Sequence, residues 1–379
     1  MRFRAELRVA AARTNAAKQR PAIVSALDDP VISPAIDHRP VDRMMGSDRS
    51  ITIEQTFPLS RIRSHKRDAA LANIGKAEGK EVQSALKVQA DAANAFFMLH
   101  ERRRSAAILA QQLEATQRLA ALTAVRHANG AAASLDVLRL ETEVARVRNR
   151  HNIGLTAVAS AEAMFNAAIG AMPGSQVPEL DTAGLFGRIA AVPQLSASLE
   201  IALSSHPGVR ISRAEIEQAR AEVKVMKSMY APMAMVRVGK AETMAAGKGY
   251  MLMVGISVPI WFDRLKAGVR EARAMQTMAE ADREAMITMI GGEVGAAHAA
   301  LRGAVSSYKG FETDVVPRAQ RMLAPAIAEY ASGRAPLTGV LEATRATWAV
   351  QEEQVMAEAA LGQAWVRHAA AVGDFGVKE

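Results

Sequence analysis

Residues 129–138 read NGAAASLDVL, and residues 332–341, which lie 203 positions later, read SGRAPLTGVL. Each stretch places a glycine shortly before a Val-Leu pair. Glycine is common where a helix stops, because it adopts a left-handed backbone at little cost, and the apolar pair fits the start of another helix. Each stretch therefore predicts a turn between two helices, and we expect Ser134 to be the N-cap of the helix after the first turn.

Other motifs recur at nearly the same spacing, which indicates an internal duplication. The recurring pairs are Pro30 with Pro232, Phe57-Pro58-Leu59 with Val258-Pro259-Ile260, and Ile169-Gly170 with Val372-Gly373. The sequence predicts a first repeat over 1–171, a Pro- and Gly-rich linker over 172–193 and a second repeat over 194–374. In each repeat we expect a helix, a β-hairpin, a long helix, a turn and a returning helix.

The composition predicts long, closely packed helices. The 379 residues are 50% hydrophobic but only 4% aromatic, and alanine supplies much of the apolar content. No proline occurs between Pro58 and Pro173, so we expect helices over about 61–128 and 134–170. The first would be about 100 Å long. A small-residue seam with 3-4 spacing is predicted along the second, at Val137, Leu140, Val144, Val147, His151, Gly154, Val158, Ala161, Phe165 and Ala168.

Four short segments between the helices alternate in polarity and predict strands at about 30–38, 49–57, 232–240 and 250–260. They form two hairpins, at about 30–58 and 232–260. Each strand has about the 9–11 residues of a tilted outer-membrane strand. Four strands cannot close a barrel, whereas three chains would supply 12. The alternative, which the pattern leaves open, is two hairpins capping a soluble helical bundle.

Several classes of function are disfavoured by the sequence. The net charge of +8 is dispersed rather than concentrated, which argues against nucleic acid as a partner. There is no cysteine, and no nucleotide-binding or common hydrolase motif occurs, so we expect neither an enzyme nor a cofactor. No apolar window is long enough for a spanning helix, and the first residues lack the apolar core of a secretory signal.

Within this duplicated plan, three stretches resemble the TolC-type outer-membrane efflux proteins: His206-Pro207-Gly208-Val209-Arg210, Val258-Pro259-Ile260-Trp261-Phe262 and Glu329-Tyr330-Ala331-Ser332-Gly333. The segments 29–42 and 55–58 are similar to the heavy-metal branch of that family, which handles copper and silver or cobalt, zinc and cadmium. The resemblance covers nearly the whole chain.

This resemblance implies a mainly α-helical fold, in which duplicated helical hairpins form a coiled-coil tunnel and two β-hairpins close a 12-stranded barrel in a trimer. It implies an exit duct in the outer membrane, with the helices in the periplasm. Its partners would be two further copies, outer-membrane lipid, a periplasmic adaptor and a proton-driven inner-membrane transporter. A periplasmic adaptor or a cytosolic coiled-coil scaffold is the alternative. Because no signal peptide is evident, we expect the chain to be truncated or mis-started.

Candidate functional residues fall into three groups. The thioethers of Met233, Met235, Met251 and Met253 are soft ligands that suit Cu(I) or Ag(I), although methionines also simply fill space. The predicted adaptor-docking tips are Asn129, Gly130, Leu135, Ser332, Gly333 and Leu337, with an exposed leucine expected on each tip.

Asp136 would form a carboxylate ring at the tunnel constriction, or only offset a helix dipole. His298 and His368 are expected to lie near each other, as a polar contact rather than a metal site.

Overall fold

The computed structural model describes residues 4–37, 48–179, 182, 184–243 and 246–375. These residues form helices α1 (Ala5–Ser25), α2 (Ile62–Ala128), α3 (Ser134–Ile169), α4 (Leu185–Ile189), α5 (Leu195–Ser205), α6 (Pro207–Ser228), α7 (Phe262–Gly310), α8 (Val316–Ala331) and α9 (Leu337–Val372), and strands β1 (Val31–Asp37), β2 (Asp48–Pro58), β3 (Met233–Thr243) and β4 (Gly247–Ser257). The predicted mainly helical fold with two β-hairpins is confirmed.

The chain divides into two compact units. Unit 1 comprises residues 1–8, 83–206 and 288–379, and unit 2 comprises residues 9–82 and 207–287. Within the described residues, no helix combines the length and the apolar character that crossing a membrane requires.

Unit 2 contains one antiparallel sheet of four strands in the order β1-β2-β3-β4. The central pair joins the two predicted hairpins, because β2 pairs with β3 from Arg49 opposite Glu242 to Pro58 opposite Met233. The last strand ends at Ser257, three residues before the predicted end at residue 260. Pro259 explains this difference, since proline has no N–H to donate to a ladder.

The helices of unit 2 pack closely because small residues lie between them. A Cβ added at Gly79 of α2 would lie 2.6 Å from the side chain of Ile211 in α6. One turn earlier, Lys76 and Glu215 form an ion pair of 2.8 Å. Glycine therefore sets the separation of α2 and α6, and the charged pair borders the contact.

The core of unit 1 is a series of separate apolar clusters. One surrounds Phe97, Leu301 and Leu361, and it includes Phe186 and Ile189 from the short helix α4. The segment 172–193, predicted as a linker, therefore contributes buried side chains to this core. A second cluster contains Leu119, Leu140, Tyr330, Leu337 and Val340.

The predicted seam of α3 is confirmed. Leu140, Val147 and Ala161 are buried, and the other seven seam positions are half-buried. The predicted N-cap is wrong, because Ala133 occupies the cap with extended backbone and Ser134 is already helical.

The long helix of the second repeat differs from its counterpart α2. Between α7 and α8 the backbone forms a π-helical segment over Phe311–Val315, and Pro317 follows directly in α8. A π-segment absorbs an inserted residue without ending the helix. The repeats are 201 residues apart at Pro58 and 203 apart at Gly130, so the second long helix must accommodate extra length.

Candidate functional site

The sheet of unit 2 has one apolar face that is exposed. Register pairs Ile32 with Ile53, Ile53 with Val238, and Val238 with Leu252, so these side chains share a face. Leu252, Val254 and Ile256 are each about two-thirds exposed, at 70%, 66% and 64%. Such a face on a soluble chain would be unusual, because large apolar patches mark contacts with another protein or a membrane.

The opposite face carries the four candidate methionines. Met235 lies opposite Gly255, Arg237 opposite Met253, and Gly239 opposite Met251, which places the thioethers on one face with Met233. The terminal carbon of Met235 lies 2.9 Å from where a Cβ on Gly255 would be, so it occupies the space that the missing side chain leaves. On the same face, Arg237 forms an ion pair with Glu54 across β2 and β3.

Beside that ion pair, this face offers the four soft thioethers together with the hydroxyls of Thr52 and Thr56. Among the described residues, no group of three or more His, Cys, Asp or Glu side chains is placed to hold a metal. The structure thus brings the four methionines to one face, and their role as metal ligands stays a prediction.

The two hairpin tips of unit 1 have the same backbone. Gly130 and Gly333 both have φ of +75°. After α2, the amides of Gly130 and Ala131 donate to the carbonyls of His127 and Arg126, at 2.9 and 2.8 Å. After α8, Gly333 and Arg334 repeat this pattern with Tyr330 and Glu329, at 3.0 and 2.8 Å. Both tips are therefore Schellman motifs, in which only glycine fits without strain.

The side chains at the tips differ. Leu135 is 53% exposed, as predicted, but Leu337 is only 3% exposed. The prediction of an exposed leucine on each tip is therefore wrong for Leu337, which packs with Leu140 and Val340 in the second core cluster. Position 337 corresponds to Ser134 in the first repeat, so the two tips present different surfaces.

A contact that the sequence did not reveal links the two tips. The Arg126 guanidinium donates to the carbonyl of Tyr330, to that of Ala331 at 3.0 Å and to that of Ala131 at 3.1 Å. It also lies 4.7 Å from the centroid of the Tyr330 ring, whose hydroxyl bonds Thr123 at 2.8 Å. Arg126 thus satisfies carbonyls at the ends of both helices. In the sequence, only the position of this arginine in the last turn of α2 could have indicated such a contact.

Asp136 lies in the first turn of α3, where it was predicted. Its carboxylate is half-buried and lies 3.6 Å from Arg139 of the same helix. This pairing fits a local role at the helix N-terminus, and the carboxylate ring stays a prediction.

The predicted proximity of His298 and His368 is confirmed, with ring centroids 6.0 Å apart. His298 Nε2 donates to the carbonyl of Pro193 at 3.0 Å, and His368 Nε2 lies 3.2 Å from the Ser198 hydroxyl. Burial, reinforced by His298, lowers the pKa of His368. The two imidazoles therefore hold the chain that enters α5.

Residues 198–374 match the family model described as outer membrane efflux protein. Over these residues, a little under half of the chain, the sequence is similar to outer membrane efflux proteins, the TolC type. Proteins of this family are transport proteins rather than enzymes. No curated protein matches the sequence.

Solved structures show that the fold extends over nearly the whole chain. CusC has a TM-score of 0.82 at 16% identity, covering 98% of this chain and 89% of CusC. VceC from Vibrio cholerae has a TM-score of 0.78 at 16% identity, with coverage of 97% and 93%. The open state of the MtrE channel from Neisseria gonorrhoeae has a TM-score of 0.79 at 13% identity, with coverage of 98% and 86%. The chain therefore has the fold of outer-membrane channel protomers.

Proposed function

We propose that three copies of this chain form an outer-membrane exit duct of a tripartite efflux system, driven by a proton-coupled inner-membrane transporter. The observation that carries the proposal is the exposed apolar face of the sheet. β2, β3 and β4 each have 11 residues, the length that crosses an outer membrane at a tilt. Unpaired strand edges are not tolerated in lipid, so the four strands must pair with those of other copies.

The returning helix α3 supports the homotrimer. Four of its large apolar side chains, Leu135, Leu138, Ile153 and Met164, are more than half exposed and lie on one side of the helix. A helix face of this kind is normally covered, and a neighbouring copy of the same chain would cover it in a closed ring. The periplasmic adaptor and the cytosolic scaffold are not favoured, because the family match is to efflux channels.

The test is to produce the chain with a cleavable leader and to examine the outer-membrane fraction. We expect a heat-modifiable trimer that forms conducting channels in planar lipid bilayers. Recovery of only soluble monomer, with no conductance, would contradict the proposal.

The tips are the surface that we propose for a periplasmic adaptor. Gly130 has open space around its absent side chain, whereas at Gly333 the guanidinium of Arg126 lies 3.5 Å away. Replacing Gly130 with Trp should therefore block docking and abolish efflux while the trimer still forms. Gly174, which also has positive φ and open space but lies away from the tips, provides the matched control with Gly174→Trp. Normal efflux in the Gly130 variant would argue against docking there.

We further propose heavy-metal cations as cargo, with Cu(I) or Ag(I) first, because four thioethers share one face of the sheet. In a trimer this face would line the lumen. Changing Met233, Met235, Met251 and Met253 to Leu keeps bulk but removes the soft ligands. Copper and silver resistance should fall modestly while trimer amounts stay normal. Unchanged resistance would mean that these methionines only pack.

A further inference from the structure

A cavity of about 560 Å³ lies in unit 2 where the helices meet the ends of the strands. Residues from the ends of α1 and α6 and the starts of α2 and α7 form its wall, together with Pro58, Met233 and Ser257. These three side chains lie at one level of the sheet, because Met233 pairs with both Pro58 and Ser257. The cavity is as large as many sites that bind small molecules.

The charged lining of this cavity is mainly basic. Arg63, Lys66 and Arg264 contribute cations, and Asp28 contributes a carboxylate. Arg63 Nε donates to the carbonyl of Ser25 at 2.7 Å, which fixes that guanidinium at the wall. Over the described ranges, no ion pair involves Lys66 or Arg264. Among the described lining residues, positive charge therefore exceeds negative charge.

The remaining lining is largely apolar. Trp261 contributes an indole that is 69% exposed, and Met229, Val258 and Leu27 add apolar surface. An indole beside an ammonium and two guanidinium groups suits a ligand with one anionic end and one hydrocarbon end. Neither a bare metal cation nor a neutral hydrocarbon satisfies both parts of this lining.

We propose that this cavity binds an amphipathic organic anion, an alkyl carboxylate or alkyl phosphate, with Lys66 and Arg264 at the anionic group and Trp261 against the hydrocarbon. Met233 belongs to the methionine face of the sheet. That the ligand enters the cavity from the channel lumen rests on the proposed duct. The binding itself requires only the fold of unit 2.

The experiment uses Trp261 as the reporter. Octanoate with a terminal bromine is added to the purified full-length protein, and tryptophan emission is recorded. We expect saturable quenching that the Trp261→Phe variant lacks and that unbrominated octanoate reverses. The corresponding bromo-alcohol should quench far less. Equal quenching by the acid and the alcohol would overturn the proposal.

The charge requirement is tested by Lys66→Gln combined with Arg264→Gln. Losing two charge-assisted contacts should weaken binding at least about tenfold. The matched control is Arg67→Gln combined with Lys266→Gln, since these neighbouring cations do not line the cavity. Equal affinity in the two double variants would also overturn the proposal.

Two further measurements distinguish this inference from the proposed duct and identify the source of the ligand. Trimer formation and conductance without saturable quenching would refute the cavity alone, and quenching without conductance would refute the duct alone. Tryptophan quenching in nanodiscs that contain brominated phosphatidylglycerol or brominated phosphatidylcholine tests whether bilayer lipid is the ligand. Selective quenching by the anionic lipid supports the site with lipid as its source, and carboxylate quenching alone supports it with a diffusible anion.

Discussion

The two returning helices, α3 and α9, show how one duplicated element acquires two roles. Both have 36 residues, and both end at a glycine with φ of +81°. Yet α3 buries only four residues, whereas α9 buries fifteen. The short helices α4 and α5 both pack on α9. Duplication has therefore kept the backbone, while α4 and α5 cover one copy and the other has an exposed apolar face.

This difference leads us to assign α9 to the core of the chain and α3 to the contact between copies. On one side of α3 four large apolar side chains are more than half exposed, and on α9 only Met356 is, at 57%. Four substitution experiments test this assignment.

The largest effect is expected from charge on the exposed face of α3. In Leu138→Glu with Ile153→Glu, burial of two unpaired carboxylates in a subunit contact would cost several kcal/mol. We expect complete loss of the trimer on size-exclusion chromatography with light scattering, and unchanged helical circular dichroism. The comparison variant is Met356→Glu on α9, which should leave the trimer intact. A trimer that survives the α3 charges would remove the basis for the assignment.

The second experiment adds one methyl group to each helix. In α9, a Cβ at Gly362 would lie 2.2–2.5 Å from ring atoms of Phe97. Gly362→Ala should therefore destabilise the protein by about 1–3 kcal/mol, because an aromatic ring in a packed core cannot move aside cheaply.

The paired variant is Gly154→Ala in α3, where the nearest atom is a terminal methyl of Leu109 at 3.2 Å. That methyl can move, and alanine is a better helix former than glycine by up to about 1 kcal/mol. We expect a small gain in stability. Denaturant unfolding measures both free energies, and equal changes would show that the two helices are not packed differently.

Much of this architecture follows from the sequence because it depends on short-range patterns. The glycines of the tips and the alternation of the strands are local signals, and they located the tips and placed most strand ends within a few residues. The burial of Leu337 was missed because it depends on Leu119 and Leu140, which are distant in sequence. The Arg126 contact was missed for the same reason, since an arginine near a helix end has many possible partners. Side-chain contacts between the repeats join residues far apart in the chain, and the periodicity of apolar residues in the sequence does not predict them.

The third experiment tests the asymmetry of the tips. Arg126 on α2 contacts both turns, whereas the corresponding residue of the second repeat, by the spacing of 203, is Glu329. Arg126→Met should cost about 1–3 kcal/mol locally, because several carbonyls lose a charged donor. We expect faster hydrogen exchange at residues 328–334 and larger channel conductance. The control Arg118→Met removes an exposed pair with Glu114 on the same helix. If exchange at the tips is unchanged in Arg126→Met, the contact does not hold them together.

The smallest effect concerns pH and is confined to α9. His368 is 6% exposed, and its pKa is lowered first by burial and then by His298. The corresponding residue of α3, 203 positions earlier, is Phe165, so only the second repeat carries this group. A lowered pKa in the folded state means that the unfolded chain binds the proton more readily. The stability that the neutral imidazole gives the folded state is thus complete above the ordinary histidine pKa of about 6.5 and is lost as pH falls through the folded value.

We expect the thermal midpoint to drop by a few degrees between about pH 8 and about pH 5. His368→Gln should reduce this slope, because glutamine has no proton to bind but can still bond Ser198. His206, whose pKa burial also lowers, should account for part of the slope that remains. An identical slope in the wild type and His368→Gln would show that the buried imidazole of α9 does not govern the acid response.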